Sequence, residues 1–327
     1  MQLYRSLDEL PEKPANAYVT IGNFDGVHLG HQKLFSEVVG KARRHGGTSI
    51  AITFDPHPLQ VVRPQFGLKL ISTFEQKAEL IQLADIDILI VLPFTQELAA
   101  TPARAFIDHL LARVGVTELV VGYDYAFGKG REGDISFLRE EGNWRGFAVS
   151  VVEAFYVEDL LVSSTKIREL ITQGRMREVR KLLGRYYQIR GEVKVGKKRG
   201  GAEIGFPTAN LHIAPEDLCP RHGVYVTQVT YGGKCYGGVL NIGKNPTFAE
   251  QDGEQPIRAE THIFDFDQEI YGHPIKVNLL RFLREERKFT GPQELAAQIG
   301  EDIRQAREVL DEAMQEMTLS CADRFNH

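Results

Sequence analysis

The chain has 327 residues, 43% apolar and 25% charged, with a formal net charge of −5. This is the mix of a globular protein of about two domains. Its acidic balance gives no general argument for binding nucleic acid or a membrane surface. Three widely spaced cysteines without a CxxC pair, Cys219, Cys235 and Cys321, argue against a disulfide framework or a thiolate zinc site. The N-terminus, Met1-Gln-Leu-Tyr-Arg-Ser6, lacks a secretory apolar core, and the longest apolar run, Ile86 to Phe94, is interrupted by Asp87 and Pro93. The expectation is a cytoplasmic protein that does not span a membrane.

Ala17–Ile21 reads as a strand, followed by Gly22-Asn-Phe-Asp-Gly-Val-His-Leu-Gly-His31 and then a helical pattern, Leu34, Phe35, Val38 and Val39. A helix N-terminus carries unpaired N–H groups and about half a unit of positive charge. With His28 and His31 beside it, and glycines that let backbone approach a ligand, it makes a phosphate-binding corner. The same residues also suit a plain βα turn with two surface histidines. Ser49–Phe54 is a second strand, and the prolines of Thr53-Phe-Asp-Pro-His-Pro58 hold Asp55 and His57 in place, as ligand groups or as parts of a rigid, capped loop.

Phe74–Leu83 is helical, and Ile86–Leu92 is an apolar strand suited to burial on both faces. Thr101-Pro102 reads as an N-cap with proline at the first helical position, opening a helix to about Val114. Glu118–Val121 and Phe147–Val152 complete five strands. The loop Gly122-Tyr-Asp-Tyr-Ala-Phe-Gly-Lys-Gly130 can line a flat-ring pocket or form a surface Ω-loop. In Val162-Ser-Ser-Thr-Lys-Ile-Arg168, Ser163 or Ser164 caps a helix whose first turn holds Lys166 and Arg168. Cations there oppose the helix dipole by a few tenths of a kcal/mol each, which favours a nearby anion over a merely solvated basic face. Strands alternating with helices imply a parallel sheet covered on both faces, with ligands beyond the carboxyl ends of the strands. Neither GxxxxGK[ST] nor GxGxxG after the first strand is present.

Met176–Gly184, with Arg175, Arg177, Arg180 and Lys181, reads as a connector. Beyond Arg185-Tyr-Tyr187 come short alternating segments, Gln188–Val195, Gly223–Thr230, Lys234–Asn241, Ile257–Phe264 and Ile275–Phe282. They predict a small antiparallel β-barrel. A closing helix from about Pro292 to Met317 carries an apolar stripe of Leu295, Ile299, Ile303 and Val309. The domain limits are therefore 1–185 and 186–327.

In Gly196-Lys-Lys-Arg-Gly-Gly-Ala-Glu-Ile-Gly-Phe-Pro-Thr-Ala-Asn210, a basic glycine loop suits polyphosphate. Thr208 and Asn210 offer two hard oxygens suited to Mg²⁺; a hairpin loop and turn is the plainer alternative. In Arg258-Ala-Glu-Thr-His-Ile-Phe-Asp-Phe-Asp267, alternation puts Glu260, His262 and Phe264 on one strand face. Glu260, near the strand start where a barrel mouth would lie, is placed to take a proton from a hydroxyl, or to pair with Arg258.

Gly22–His31 together with Ser163-Ser-Thr-Lys-Ile-Arg168 resembles the signature pair of the HxGH nucleotidyltransferases. Phe24-Asp25-Gly26, Phe54-Asp-Pro-His-Pro58 and Gly122-Tyr-Asp-Tyr-Ala-Phe-Gly128 resemble the FAD synthetase module of the bacterial bifunctional riboflavin kinase/FMN adenylyltransferase family. Gly205-Phe-Pro-Thr-Ala-Asn210, Gly238-Val-Leu-Asn-Ile-Gly-Lys-Asn-Pro-Thr-Phe248, Glu260–Asp267 with Tyr271-Gly272, Phe282-Leu-Arg284 and Lys288-Phe289 are similar to its riboflavin kinase module. Where that family often has Gly-Arg before a Leu-Gly step, this chain reads Gly201-Ala-Glu-Ile-Gly205.

The resemblance implies a Rossmann-like α/β adenylyltransferase domain followed by a barrel kinase domain. It implies ATP, riboflavin and FMN as partners, Mg²⁺ as cofactor, and no nucleic acid or membrane; between copies, self-association is weak at most. Catalysis falls to His28, His31 and Glu260. Nucleotide contacts fall to Gly22, Asn23, Phe24, Gly26, Ser164, Thr165, Lys166, Arg168, Gly196, Lys197, Gly205 and Pro207. Asp55, His57, Asp124 and Phe127 lie near the flavin, and Thr208 and Asn210 hold the metal. The alternatives are a flavin- or nucleotide-sensing protein without turnover, and a nucleotidyltransferase for another phosphorylated acceptor.

Overall fold

The structure is a computed structural model that describes residues 1–195, 205–243 and 257–324. It divides into two compact units, Met1–Lys166 and Ile167–His327. Gly196, Lys197 and the stretch 244–248 lie outside the described residues.

The first unit runs β1 (Gln2–Tyr4), β2 (Ala17–Ile21), α1 (Leu29–Arg44), β3 (Thr48–Asp55), α2 (Pro58–Val62), α3 (Phe74–Leu83), β4 (Ile88–Pro93), α4 (Gln96–Ala99), α5 (Ala103–Arg113), β5 (Val116–Gly122), α6 (Ile135–Arg145) and β6 (Ala148–Val152). A small hairpin, β7 (Tyr156–Val157) and β8 (Leu160–Leu161), and the start of α7 (Ser164–Thr172) follow. The sheet is parallel throughout, in the order β1-β4-β3-β2-β5-β6. The sequence reading missed its edge strand β1, three residues too short to show a period.

Alternation along the strands divides the core between the two faces. Val19, Ile21, Ile52, Ile90 and Val121 pack with Phe106, Ile107, Leu110 and Leu138 of α5 and α6. Tyr18, Ala51, Leu89, Val91 and Val120 pack with Phe35, Val38 and Ile81 of α1 and α3. The chain winds one way from β2 through β3 to β4, then crosses back to β5 and β6. The topological switch point therefore lies between β2 and β5, at their carboxyl ends.

One helix start departs from expectation. Pro102 is the N-cap residue of α5 and offers no side-chain cap, while the Thr101 hydroxyl donates to the Glu97 carbonyl at the end of α4. The N–H of Ala103, which has no partner within the helix, is instead satisfied by the Glu132 carboxylate at 2.8 Å, a negative charge on the positive end of the helix. Glu132→Ala is expected to cost about 1 kcal/mol. Thermal unfolding should show this as a Tm roughly 2–4 °C lower, with the native fold retained at ambient temperature.

The second unit carries the rest of α7, then α8 (Met176–Leu183), β9 (Tyr187–Glu192), β10 (Ala209–His212), β11 (Gly223–Tyr231), β12 (Lys234–Gly243), β13 (Arg258–Ile263), β14 (Pro274–Arg284) and α9 (Pro292–Arg324). Its antiparallel sheet has the order β10-β13-β12-β11-β14-β9. A bridge between Lys194 and Asn210 closes it toward a barrel. β10 was not foreseen as a strand: its first two residues, Ala209 and Asn210, end the motif read as a metal site. Met176–Gly184 is more than a connector, because α8 buries Met176, Val179, Leu182 and Leu183 and packs on β9 and β14. The barrel interior is filled by Tyr225, Thr227, Leu240, Ala259, Thr261 and Leu279, all fully buried. The opposite face presents Val224, Val226 and Val239, which α9 covers with Ala306 and Val309. Arg284 on β14 clamps the buried Asp302 of α9, Nε to Oδ1 at 2.9 Å and Nη2 to Oδ2 at 2.7 Å.

Candidate active sites

The first site lies beyond β2. Gly22 is still in the sheet, its N–H donating to the Ile52 carbonyl at 3.0 Å. The chain then turns through left-handed conformations at Phe24 (φ 50°), Gly26 (φ 78°) and Val27 (φ 40°). At Gly26 a Cβ would come within 2.8 Å of the Ile71 side chain, so the turn requires glycine. The strained loop is held by Asp25, whose buried carboxylate accepts the N–H groups of Ile71 at 3.1 Å and Ser72 at 3.3 Å. The Ser72 hydroxyl accepts the Gly26 N–H at 3.1 Å.

His28 is the N-cap of α1: its Nδ1 accepts the His31 N–H at 3.3 Å. A neutral imidazole bonded this way carries its proton on Nε2. The His28 and His31 rings stack with centroids 3.5 Å apart. A Cβ at Gly30 would lie 3.3 Å from the His28 ring, so a side chain there would push on the imidazole by a few tenths of an ångström. Phe24 supports this pair from below, with its ring edge-on to His31 at 5.4 Å and to Phe35 at 4.8 Å. Being 1% exposed, Phe24 can offer a ligand no more than its backbone, which narrows the nucleotide role expected of it.

The second helix start joins the same corner. The Ser163 hydroxyl caps α7 by accepting the Lys166 N–H at 3.2 Å, and the Ser164 hydroxyl donates to the Asp25 carbonyl at 3.0 Å. Asp25 thus ties the loop preceding α1 to the N-terminus of α7. Thr165 is exposed and Lys166 half-buried at that end. Arg168 lies further along α7, beyond the last residue of the first unit.

The expected flavin contacts are more dispersed. Asp55 is exposed at the end of β3, 3.7 Å from Arg5. His57 is largely a capping residue: its Nδ1 accepts the Leu59 N–H at 3.1 Å while Gln60 accepts the His57 N–H. That makes a capping box at the start of α2 and leaves His57 8% exposed. Asp124 is exposed in the loop after β5, and its carbonyl accepts from Arg131 at 3.2 Å. Phe127 is half-buried and packs on Phe106, Tyr125 and Phe137, so its ring anchors the loop to the core.

The second site lies on β10, β13 and β12. Asn210 is opposite Glu260, and Glu260 opposite Asn241, forming a row across three strands. The row is on the outward face, because Ala259, Thr261 and Ile263 of β13 fill the interior. Glu260 therefore points away from the packed interior, on the face of the sheet that α9 covers at β11 and β12. Burial raises the Glu260 carboxyl above the ordinary range, Arg258 opposes this, and Glu286 reinforces it. Asn241 Nδ2 donates to Glu286 at 3.1 Å. Asn210 Nδ2 donates to the Thr208 carbonyl at 3.3 Å, so its other amide atom is the oxygen. His262 donates from Nδ1 to the Pro207 carbonyl at 2.9 Å and meets Phe206 edge-on, pinning the segment from Gly205 to Thr208 against β13.

Three residues of these sites were not foreseen: Lys77 under the first, and Asn241 and Glu286 at the second. Lys77 left a signal, since it sits on the buried stripe of α3 with Phe74, Ala78 and Ile81. Among the described residues no group of three His, Cys, Asp or Glu side chains could hold a metal ion. No described helix is long and apolar enough to cross a membrane.

Residues 10–166 match the family model for FAD synthetase, and residues 183–310 match that for riboflavin kinase. The chain is 37% identical to the bifunctional riboflavin kinase/FMN adenylyltransferase of Listeria monocytogenes, over 89% of this chain and 92% of that one. It is 36% identical to the protein of the same name from Bacillus subtilis (91% and 93%) and 34% identical to that of Escherichia coli K12 (94% and 97%). A crystal structure described as a macrolide-efflux protein from Streptococcus pneumoniae superposes with a TM-score of 0.84 at 31% identity, covering 93% of this chain and 98% of that one.

Proposed function

Because the chain belongs to the bifunctional riboflavin kinase/FMN adenylyltransferase family, we propose how its two activities are distributed. The enzyme phosphorylates riboflavin to FMN and adenylylates FMN to FAD, using ATP in both steps. Residues 1–185 would carry the adenylyl transfer and 186–327 the kinase.

In the first reaction site, an oxygen of the FMN phosphate attacks the α-phosphorus of ATP, and the bond to the β-phosphate oxygen breaks as pyrophosphate leaves. The nucleophile is already an anion, so no strong base is needed; the demand is for charge stabilisation on the α-phosphate and the leaving group. His28 and His31 at the N-terminus of α1, with Lys166 and Arg168 on α7, fit that demand. Gly22, Asn23, Gly26, Ser164 and Thr165 complete the nucleotide's surroundings, and Asp55, Asp124 and the segment about His57 and Phe127 the flavin side. The observation that carries this assignment is the corner at Asp25, which receives two helix N-termini and a stacked imidazole pair.

In the kinase, Glu260 takes the proton from the ribityl hydroxyl as its oxygen bonds to the γ-phosphorus and ADP leaves. The family's reactions use a divalent metal, for which we propose Mg²⁺. Thr208 and Asn210 supply neutral hard oxygens of the type Mg²⁺ accepts alongside substrate phosphates. When bound, the ion would neutralise phosphate charge; Glu260, with Asn241 beside it on the next strand, would face the acceptor. Gly196, Lys197, Gly205 and Pro207 would complete the ATP contacts of this site. A cytoplasmic location and weak self-association at most complete the proposal.

With riboflavin, ATP and MgCl₂, chromatography should show FMN first and FAD later. EDTA in excess of the metal should stop both, with activity restored by added Mg²⁺. Flavin that binds but stays unchanged would favour a sensing protein instead.

A further inference from the structure

We infer that Lys77, on α3, is a positioning residue for adenylyl transfer, holding the Asn23 carbonyl where β2 passes into the reactive corner. Lys77 is 9% exposed. A lysine is seldom buried to that degree without a carboxylate bonded to it. Its ammonium nitrogen instead donates to three neutral oxygens: Asn23 O at 3.4 Å, Thr53 Oγ1 at 3.3 Å and Phe54 O at 3.2 Å. An ammonium has three hydrogens, so this set uses all of them. Thr53 passes the effect on, since its hydroxyl donates to the same Asn23 carbonyl at 3.1 Å.

The geometry concentrates on one peptide. Gly22 belongs to the sheet and Phe24 is already left-handed, so Asn23 is the residue at which the strand becomes the loop. The segment carrying Lys77 grips that loop twice: the N–H groups of Ile71 and Ser72 hold the Asp25 carboxylate, and Lys77 holds Asn23. Its third bond, to Phe54, ties the end of β3 to the same point. An apolar residue of similar length would fill the space on the stripe of Phe74, Ala78 and Ile81 without a buried charge. What only lysine supplies is the link between the loop ends of β2 and β3. Lys77 touches no reacting group, so it acts through Asn23.

The charged groups facing it are Asp25 from the loop after β2 and Asp55 at the end of β3, which favour the ammonium, while burial, the larger effect, lowers its pKa. On raising the pH, Lys77 therefore loses its proton earlier than an exposed lysine does, and a neutral amine keeps two of the three bonds.

The inference rests on the placement of FMN adenylylation at this corner, and the test separates the two. Lys77→Gln and Lys77→Met are made in the full chain, with His28→Asn alongside, and FAD formation from supplied FMN and riboflavin phosphorylation are measured on each sample. Displacement of a reacting group by about 1 Å can cost about a hundredfold. On that scale, kcat for FAD formation should fall about a hundredfold in Lys77→Met and about tenfold in Lys77→Gln, which keeps two donors. KM for FMN and the phosphorylation rate should stay near wild type, and the alkaline limb of FAD formation should vanish in both variants. A packing role alone predicts the opposite order, with methionine the better replacement; that order, or a wild-type kcat and alkaline limb in Lys77→Gln, overturns the inference. Should Lys77→Met lose both activities through unfolding, the rate and pH profile of Lys77→Gln decide. FAD formation surviving in His28→Asn would instead relocate the reaction itself.

Discussion

His28→Asn is expected to abolish FAD formation from FMN and ATP while riboflavin phosphorylation continues at the wild-type rate. Asparagine is the informative replacement because His28 has two functions in the structure. It caps α1 by accepting the His31 N–H, and its ring stacks on His31 at 3.5 Å. Asparagine is among the best N-cap residues, so the helix start survives and only the imidazole is lost. His28→Ala removes both, and should add about 1 kcal/mol of destabilisation to the same loss of activity. Unit charges about 4 Å apart interact by roughly 1 kcal/mol in water and roughly 4 kcal/mol at an effective dielectric of 20. Removing one aligned donor from a site that stabilises developing charge typically costs about 10²- to 10³-fold in kcat. FAD synthesis persisting in His28→Asn at more than a tenth of the wild-type rate would leave His28 only its capping role and place the reaction elsewhere.

How far these sites were legible depends on the reach of the interactions that build them. The strand at Ala17–Ile21, the helix at Phe74–Leu83 and the alternation of strand and helix are local patterns, and each appears in the structure. The two helix starts were legible for the same reason: His28 and Ser163 cap within three residues of themselves. What joins them was not, because Asp25 is bonded to Ile71, Ser72 and Ser164, partners far along the chain. That His57 caps α2 and Phe127 packs on the core was not legible, since polar and aromatic loop residues look alike whether they face solvent, a helix end or the core. Lys77 could have been noticed as a charge on an apolar stripe, but its three oxygen partners come from two other elements. In the barrel, alternation placed Glu260 and His262 on a common face but could not say which face was outward. That followed only from the register, which sets Glu260 between Asn210 and Asn241.

The register also carries the second large effect. Glu260→Gln is expected to lower riboflavin phosphorylation by about 10²- to 10⁴-fold, the range for loss of a general base. FAD synthesis from supplied FMN should be unaffected. Burial and Glu286 raise the Glu260 pKa, so the acid limb of phosphorylation should lie above the ordinary carboxylate range. Glu286→Gln, which removes one of the groups that raise it, should move that limb to lower pH. The same shift fixes the sign of the stability effect. A carboxyl whose pKa is higher in the folded state binds its proton more tightly there, so stability falls as pH rises from the unfolded value through the folded one. Near neutral pH the ionised Glu260 is therefore a liability to folding, and Glu260→Gln should leave Tm unchanged or higher. Loss of phosphorylation with Tm maintained assigns Glu260 to the chemistry. Phosphorylation surviving in Glu260→Gln, with its acid limb where it was, would place the base on another residue, with Glu286, bonded to Asn241 in the same row, the next to test.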